Sequence, residues 1–162
     1  MTAGSPREFL DFVLKTADIH ESRLRLAMSK LDPLIPLSED FITNVVEENL
    51  FALELFSSRF AKLHDLMGVK VFAAVLEWSQ EPGSYPSFLD KLHVLEKVGA
   101  ISNAQLWSEL RQMRNALSHE YPDDPGQMAK YFNRAYELSG YLLQCHEQIK
   151  TYVQHVEKTK FH

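Results

Sequence analysis

Six residues with chemically useful side chains fall within the stretch Arg111-Gln112-Met113-Arg114-Asn115-Ala116-Leu117-Ser118-His119-Glu120-Tyr121. A guanidinium such as that of Arg114 can grip a phosphate with two parallel hydrogen bonds and stabilise the charge added in a transition state. The imidazole of His119 titrates near neutrality and can take or give a proton. In RNA the neighbouring 2′-hydroxyl is a built-in nucleophile, so this pair suits phosphodiester cleavage without a metal. Arg111 adds a second cation, Ser118 and Tyr121 add hydroxyls, and the Asn115 amide can orient a ring or a phosphate. Spacing alone leaves a structural reading open, because Arg and His near a helix C-terminus also complement the macrodipole.

The segment must sit on a helix. Ser102 to Gln105 has the pattern of a capping box, Leu106, Leu110, Met113 and Leu117 recur as one inward stripe, and Pro122 stops the helix near Tyr121. At about 100° per residue Arg111, Arg114 and Ser118 share one side, with Asn115 at its margin. His119 lies about 140° from Arg114 on an ideal helix. The two can meet only through side-chain reach, a loosened last turn or a second protomer, which motivates the expectation of a homodimer. Tyr121 precedes Pro122, Asp123 and Asp124 in a turn and is expected to be exposed.

The rest of the chain reads as helices separated by Pro and Gly breaks. Ser5-Pro6-Arg7-Glu8 forms a helix start, and Leu10, Val13, Ala17, His20, Leu24, Ala27 and Leu31 make one buried stripe before Pro33 and Pro36. A second helix starts at Ser38. Val46, Leu53, Phe60 and Met67 lie seven apart along it, Phe56 and Leu63 fill the intermediate positions, and Gly68 ends or kinks it. Ser79 to Pro86 is a loop, and a short helix follows to Gly99 as its C′ residue. Asp124-Pro125 starts a last helix whose stripe runs from Met128 through Tyr131, Ala135, Leu138, Leu142, Cys145, Ile149 and Tyr152 to Val156. The fold class is therefore all-α, an up-and-down bundle of about four to five helices. One domain spans residues 5 to 157, with 158 to 162 as a flexible tail.

The chain has 162 residues, a formal net charge of -5 and one cysteine. A generic grip on nucleic acid needs a basic face, so any such role must rest on a local basic cleft. A lone Cys145 rules out an intrachain disulfide and fits a cytoplasmic protein. No signal peptide or membrane span is expected. No HExxH or CxxC is present, and His64, His93, His146, His155 and His162 show no ligand spacing with Cys or carboxylates, so no metal site and no cofactor are expected. His20 reads as a satisfied core histidine, Asn49 as a register or cleft residue, and Cys145 as a buried thiol.

The string Arg114-Asn115-Ala116-Leu117-Ser118-His119-Glu120-Tyr121 resembles the R-x4-H-x-Y signature of HEPN-superfamily toxins that accompany minimal nucleotidyltransferases. The Asn after the Arg is typical of that superfamily, and Phe60-Ala61-Lys62-Leu63-His64-Asp65-Leu66-Met67-Gly68 is similar to a second-helix stretch of the group. The resemblance implies a dimeric bundle in which Arg114 and His119 of both protomers line a shared cleft and cut RNA without a metal. It implies a cognate nucleotidyltransferase antitoxin that attaches AMP to Tyr121, with Asn115, Ser118 and Arg111 in support. Other members with similar bundles are noncatalytic nucleotide-binding or accessory subunits of nucleotidyltransferases, which is the alternative reading.

Overall fold

A computed structural model describes residues 4–161. The described residues form an all-α bundle without strands. Helix α1 spans Pro6–Leu31, and its start is the expected capping box: the Ser5 hydroxyl accepts from the Glu8 amide while the Glu8 carboxylate accepts from that of Ser5. Its apolar stripe is fully buried except at His20, which is half-buried and bonded through Nδ1 to Arg59 Nη1 at 2.9 Å.

The helix expected from Ser38 onward is divided. Ser38 caps a short helix, α2 (Glu39–Thr43), and the chain leaves helical geometry at Asn44 before α3 (Glu47–Leu66) begins. The physical reason is the run Thr43-Asn44-Val45-Val46, in which β-branched residues and an Asn with a competing side-chain bond all disfavour helix. Val46 is therefore exposed at the head of α3 rather than in the core, and Asn49 is half-buried. Gly68 does not end the helix. It lies in a π-helical turn, Met67–Val71, which passes directly into α4 (Phe72–Ser79), so Glu47 to Ser79 form one continuous rod.

Helix α5 (Phe88–Lys97) starts at a Ser87–Asp90 capping box and ends at Gly99, whose φ of 85° is the left-handed conformation that glycine adopts without steric cost. Helix α6 (Ala104–Leu117) is capped by Asn103, whose Oδ1 accepts from the amides of Gln105 and Leu106, and not by Ser102. The Ala104 amide is taken by Glu96 Oε2 at 2.7 Å, a partner from α5 that local pattern does not reveal. Helix α7 spans Pro125–Lys160.

Helix α1 packs chiefly on α3, and α7 takes α6 and α2. The α2 segment is pinned by Asn133 of α7, whose side chain both accepts from the Leu37 amide and donates to its carbonyl. Phe56, Phe60, Leu63, Met67, Trp107 and Leu110 form the centre, each fully buried side chain contributing about 1.5–3 kcal/mol. The segment expected to be a flexible tail from residue 158 is helical through Lys160. Its last turn is held because Lys160 Nζ donates to the Ser79 carbonyl at 2.7 Å and the Phe161 ring stacks on Trp78. His162 lies outside the described residues. No helix among those described is long and apolar enough to cross a membrane.

Candidate functional site

Arg114 stands in the last turn of α6, facing α3. Its guanidinium grips the Asp65 carboxylate side-on, with Nε 3.0 and 3.2 Å from the two carboxylate oxygens and Nη2 2.8 Å from Oδ2. Asp65 lies 49 residues earlier in the chain. The Asp65 carboxylate also accepts from Nδ1 of its neighbour His64 at 3.0 Å. Hydrogen bonding by Arg114 holds the Asp65 carboxyl below its ordinary range, and the same pair raises Arg114. Burial lowers His64 despite the opposing pull of Asp65, so its imidazole favours the neutral form, with the proton on Nδ1.

His64 is buried because its ring stacks on Trp107 of α6, with centroids 4.8 Å apart and planes 15° from parallel. Trp107 in turn meets Phe72 edge-on. His64 Nε2 and Trp107 Nε1 are both buried with no hydrogen-bond partner among the described residues. Each such orphan costs about 1–3 kcal/mol. Both residues line a cavity of about 260 Å³ that Asp65, Gly68, Val69, Phe88, Arg111, Arg114 and Asn115 complete. The Arg111 guanidinium lies 4.8 Å above the centre of the Phe88 ring. Arg111, Arg114 and the Asp65 carboxylate thus all line the cavity, whereas the two orphaned nitrogens are closed off from solvent.

Three of the sequence candidates, Arg111, Arg114 and Asn115, are brought together here. Ser118 is not: it is the C-cap of α6, and its hydroxyl donates to the Asn115 carbonyl at 2.6 Å. His119 is exposed just beyond the helix end and lines a different cavity, of about 460 Å³, with Glu54, Glu120 and Tyr121. The helix expected to run to about Tyr121 ends at Leu117, so His119 leaves the helical path, and within one chain it lines a cavity separate from that of Arg114. Tyr121 departs from expectation. It is half-buried, its ring 5.5 Å from that of Tyr131, because the turn after α6 folds back onto the first turns of α7.

Sequence spacing assigned no role to His64, Asp65 or Trp107. The first two lie in the stretch that carried the second-helix resemblance, but nothing local ties residue 65 to residue 114. A second grouping was equally hidden. His146 of α7 is fully buried with Nε2 2.8 Å from Asp18 Oδ1 and 3.6 Å from Glu21 Oε2 on α1. These donor atoms lie within 4.8 Å of one another, close enough to hold a cation. Lys150 already meets Asp18 at 3.0 Å and Arg25 meets Glu21 at 3.3 Å. His146 Nδ1 is buried without a partner, whereas a ligating histidine ordinarily donates that N–H. The grouping is an ion-pair network joining α1 to α7.

No protein-family model, curated protein or solved structure matches this chain, so its chemistry is argued from these residues and their geometry.

Proposed function

We propose that the chain is a metal-independent endoribonuclease, the toxin of a pair formed with a minimal nucleotidyltransferase, in which Arg114 and His119 act across a homodimeric cleft in the cytoplasm. The observation that carries this reading is the side-on hold of Asp65 on Arg114. Asp65 engages Nε and Nη2, which fixes the plane of the guanidinium and leaves the Nη1 end outside the pair. A pre-aimed guanidinium at the edge of a cavity is suited to a phosphodiester.

In the reaction the 2′-hydroxyl oxygen attacks the adjacent phosphorus, its proton passes to the His119 imidazole, and Arg114 stabilises the added negative charge. The bond from phosphorus to the 5′-oxygen then breaks, and that oxygen takes a proton from the His119 imidazolium, which restores the neutral base. The products are a 2′,3′-cyclic phosphate, opened later by water, and a 5′-hydroxyl. The separation of His119 from Arg114 in one chain favours a two-fold arrangement in which the protomers complete each other. The nucleotidyltransferase would silence the toxin by attaching AMP to Tyr121.

A second reading has its own support. Arg114 is engaged by a carboxylate and His119 lines another cavity, which suits a noncatalytic nucleotide-binding or accessory subunit of a nucleotidyltransferase. Labelled RNA incubated with the purified protein separates the two. Cleavage is expected with and without a chelator, because Arg114, His119 and the 2′-hydroxyl between them supply every role. Arg114→Ala and His119→Ala should each lower the rate about 100-fold or more. Mixing the two inactive variants should restore part of the activity if the cleft is shared. Folded dimers of both variants that cut RNA at the wild-type rate would end the enzyme reading, and light scattering that finds only monomer would end the shared cleft.

A further inference from the structure

Helix α1 carries a second seam that the bundle does not use. Phe9, Phe12, Ile19 and Leu26 fall on one line of alternating three- and four-residue steps, with Thr16 and Arg23 in its gaps. Each of these positions precedes one of the buried stripe by a single residue, so the seam is turned about 100° from the side that faces the core. Phe12 is 64% exposed, Leu26 53%, Ile19 51% and Phe9 43%. At about 200 Å² for a large side chain, these fractions leave roughly 400 Å² of apolar surface in a strip about 25 Å long. Scattered apolar residues on a surface are ordinary, but an aligned strip of this size marks a place where something docks. A standard interface buries about 800 Å² per partner, a little over half of it apolar, so the strip alone supplies the apolar share of one.

Spacing and charge together say what fits. Phe12, Ile19 and Leu26 recur every seven residues, a repeat that drifts only about 20° per step around an ideal helix. Such a seam is narrow and matches a second helix wound along it, whereas a bilayer needs a broad apolar face. Lys15, Arg23 and Lys30 are exposed and interleave with the apolar positions. The ion pairs of α1 use Arg7, Asp11, Asp18, Glu21 and Arg25, and leave these three cations without a carboxylate among the described residues. Glu8, at the head of the seam, is held in the cap with Ser5. The neighbouring α3 adds positive charge: His20, at the margin of the seam, is pushed down by burial and by the nearby charges of Arg59, Lys62 and Arg23. The face is therefore basic in a chain whose net charge is -5. Two copies docked through it would set these cations against one another, so the complementary partner is acidic.

We propose that the outer seam of α1 is a docking surface for an acidic amphipathic helix of a partner protein, whose apolar face covers Phe12, Ile19 and Leu26 and whose flanking carboxylates meet Lys15, Arg23 and Lys30. No residue of α1 lines the cavities of Arg114 and His119, so the surface does not depend on the ribonuclease reading.

The test titrates the full chain into a fluorescently labelled synthetic peptide of about four heptads, with Leu at the seam positions and Glu at the flanking ones. The controls are a peptide of the same residues in scrambled order and one with Lys in place of Glu. Fluorescence anisotropy should show saturable binding of the acidic peptide, about tenfold or more tighter than either control. Phe12→Ser and Ile19→Ser should each weaken it about tenfold, as the loss of one buried apolar side chain implies. Both residues are exposed in the free chain, so the variants should keep the wild-type helical signal and melting temperature. Reversing two charges, Lys15→Glu with Arg23→Glu, should exchange the preference in favour of the Lys peptide. Failure of the acidic peptide to bind, or binding that Phe12→Ser and Ile19→Ser leave unchanged, would overturn the proposal. Binding to vesicles of phosphatidylserine and phosphatidylcholine that Ile19→Ser abolishes would overturn it in favour of a membrane surface. A fall in oligomeric mass on Ile19→Ser, read by light scattering, would overturn it in favour of a second copy of this chain.

Discussion

Replacing Asp65 with Ala should destabilise the fold more than replacing Arg114 with Ala, although both remove the same ion pair. The Asp65 side chain is 43% exposed and that of Arg114 28%, so solvent screens the pair. Its worth is about 1 kcal/mol, at the upper end for exposed pairs because the geometry is bidentate. Asp65 has a second task, since it accepts the Nδ1 proton of His64, whose side chain is 8% exposed. Removing that acceptor leaves a buried donor unsatisfied at a further cost of about 1–3 kcal/mol. Asp65→Ala should therefore cost roughly 2–4 kcal/mol in all, or roughly 4–16 °C in Tm for a chain of this size. Arg114→Ala leaves the His64 bond intact and should cost only about 1 kcal/mol. Asp65→Asn keeps an acceptor for His64 and should fall between them. The sign of the pH dependence follows from the lowered Asp65 value. The pair contributes fully above the unfolded carboxyl value of about 3.9, and its contribution disappears as pH falls through the lower folded value. Urea denaturation of both single variants and the double variant at neutral pH, repeated near pH 3, measures each quantity. An Arg114→Ala variant as damaged as Asp65→Ala would refute the assignment of Asp65 as a bridge between Arg114 and His64. A coupling energy near zero in the double-mutant cycle would refute the ion pair itself.

Cys145 is 1% exposed and burial pushes its thiol up to about 12, so the native protein should resist thiol reagents at pH 8 and react fully once unfolded; rapid native labelling would contradict this packing. Deleting residues 158 to 162 should lower the Tm measurably, because Lys160 and Phe161 hold Ser79 and Trp78; an unchanged melt would restore the view of this segment as a free tail. Ser5→Ala should cost about 1 kcal/mol by removing the reciprocal cap of α1, a loss that calorimetry would detect and that a neutral result would exclude. Burial lowers both His64 and His20 in the folded state, so the unfolded chain binds protons first as pH falls below about 6.5 and their contribution to stability declines there. Chemical denaturation at pH 7.5 and pH 5.5 should show a smaller decline in His64→Gln than in wild type, and an identical decline would remove His64 from this account.

What the chain encodes locally was legible in its residues. The capping box of Ser5 and Glu8, the stripe from Leu10 to Leu31 and the buried thiol of Cys145 all follow from helical periodicity and from the unsatisfied amides of a first turn. These features depend on residues three or four apart, and the rule that governs them is the same wherever the helix lies. Tertiary structure decided whatever needed a partner from elsewhere. Glu96 took the Ala104 amide at the start of α6, and Ser79 and Trp78 held the last turn of α7 in place. The bond of Arg114 to Asp65, the stack of His64 on Trp107 and the seating of His146 against Asp18 each join residues more than forty positions apart. No periodicity links such pairs, because helices of similar pattern can pack in several registers. Only the close fit of α3 against α6, and of α1 against α7, selects which polar groups meet and which buried nitrogens are left without a partner.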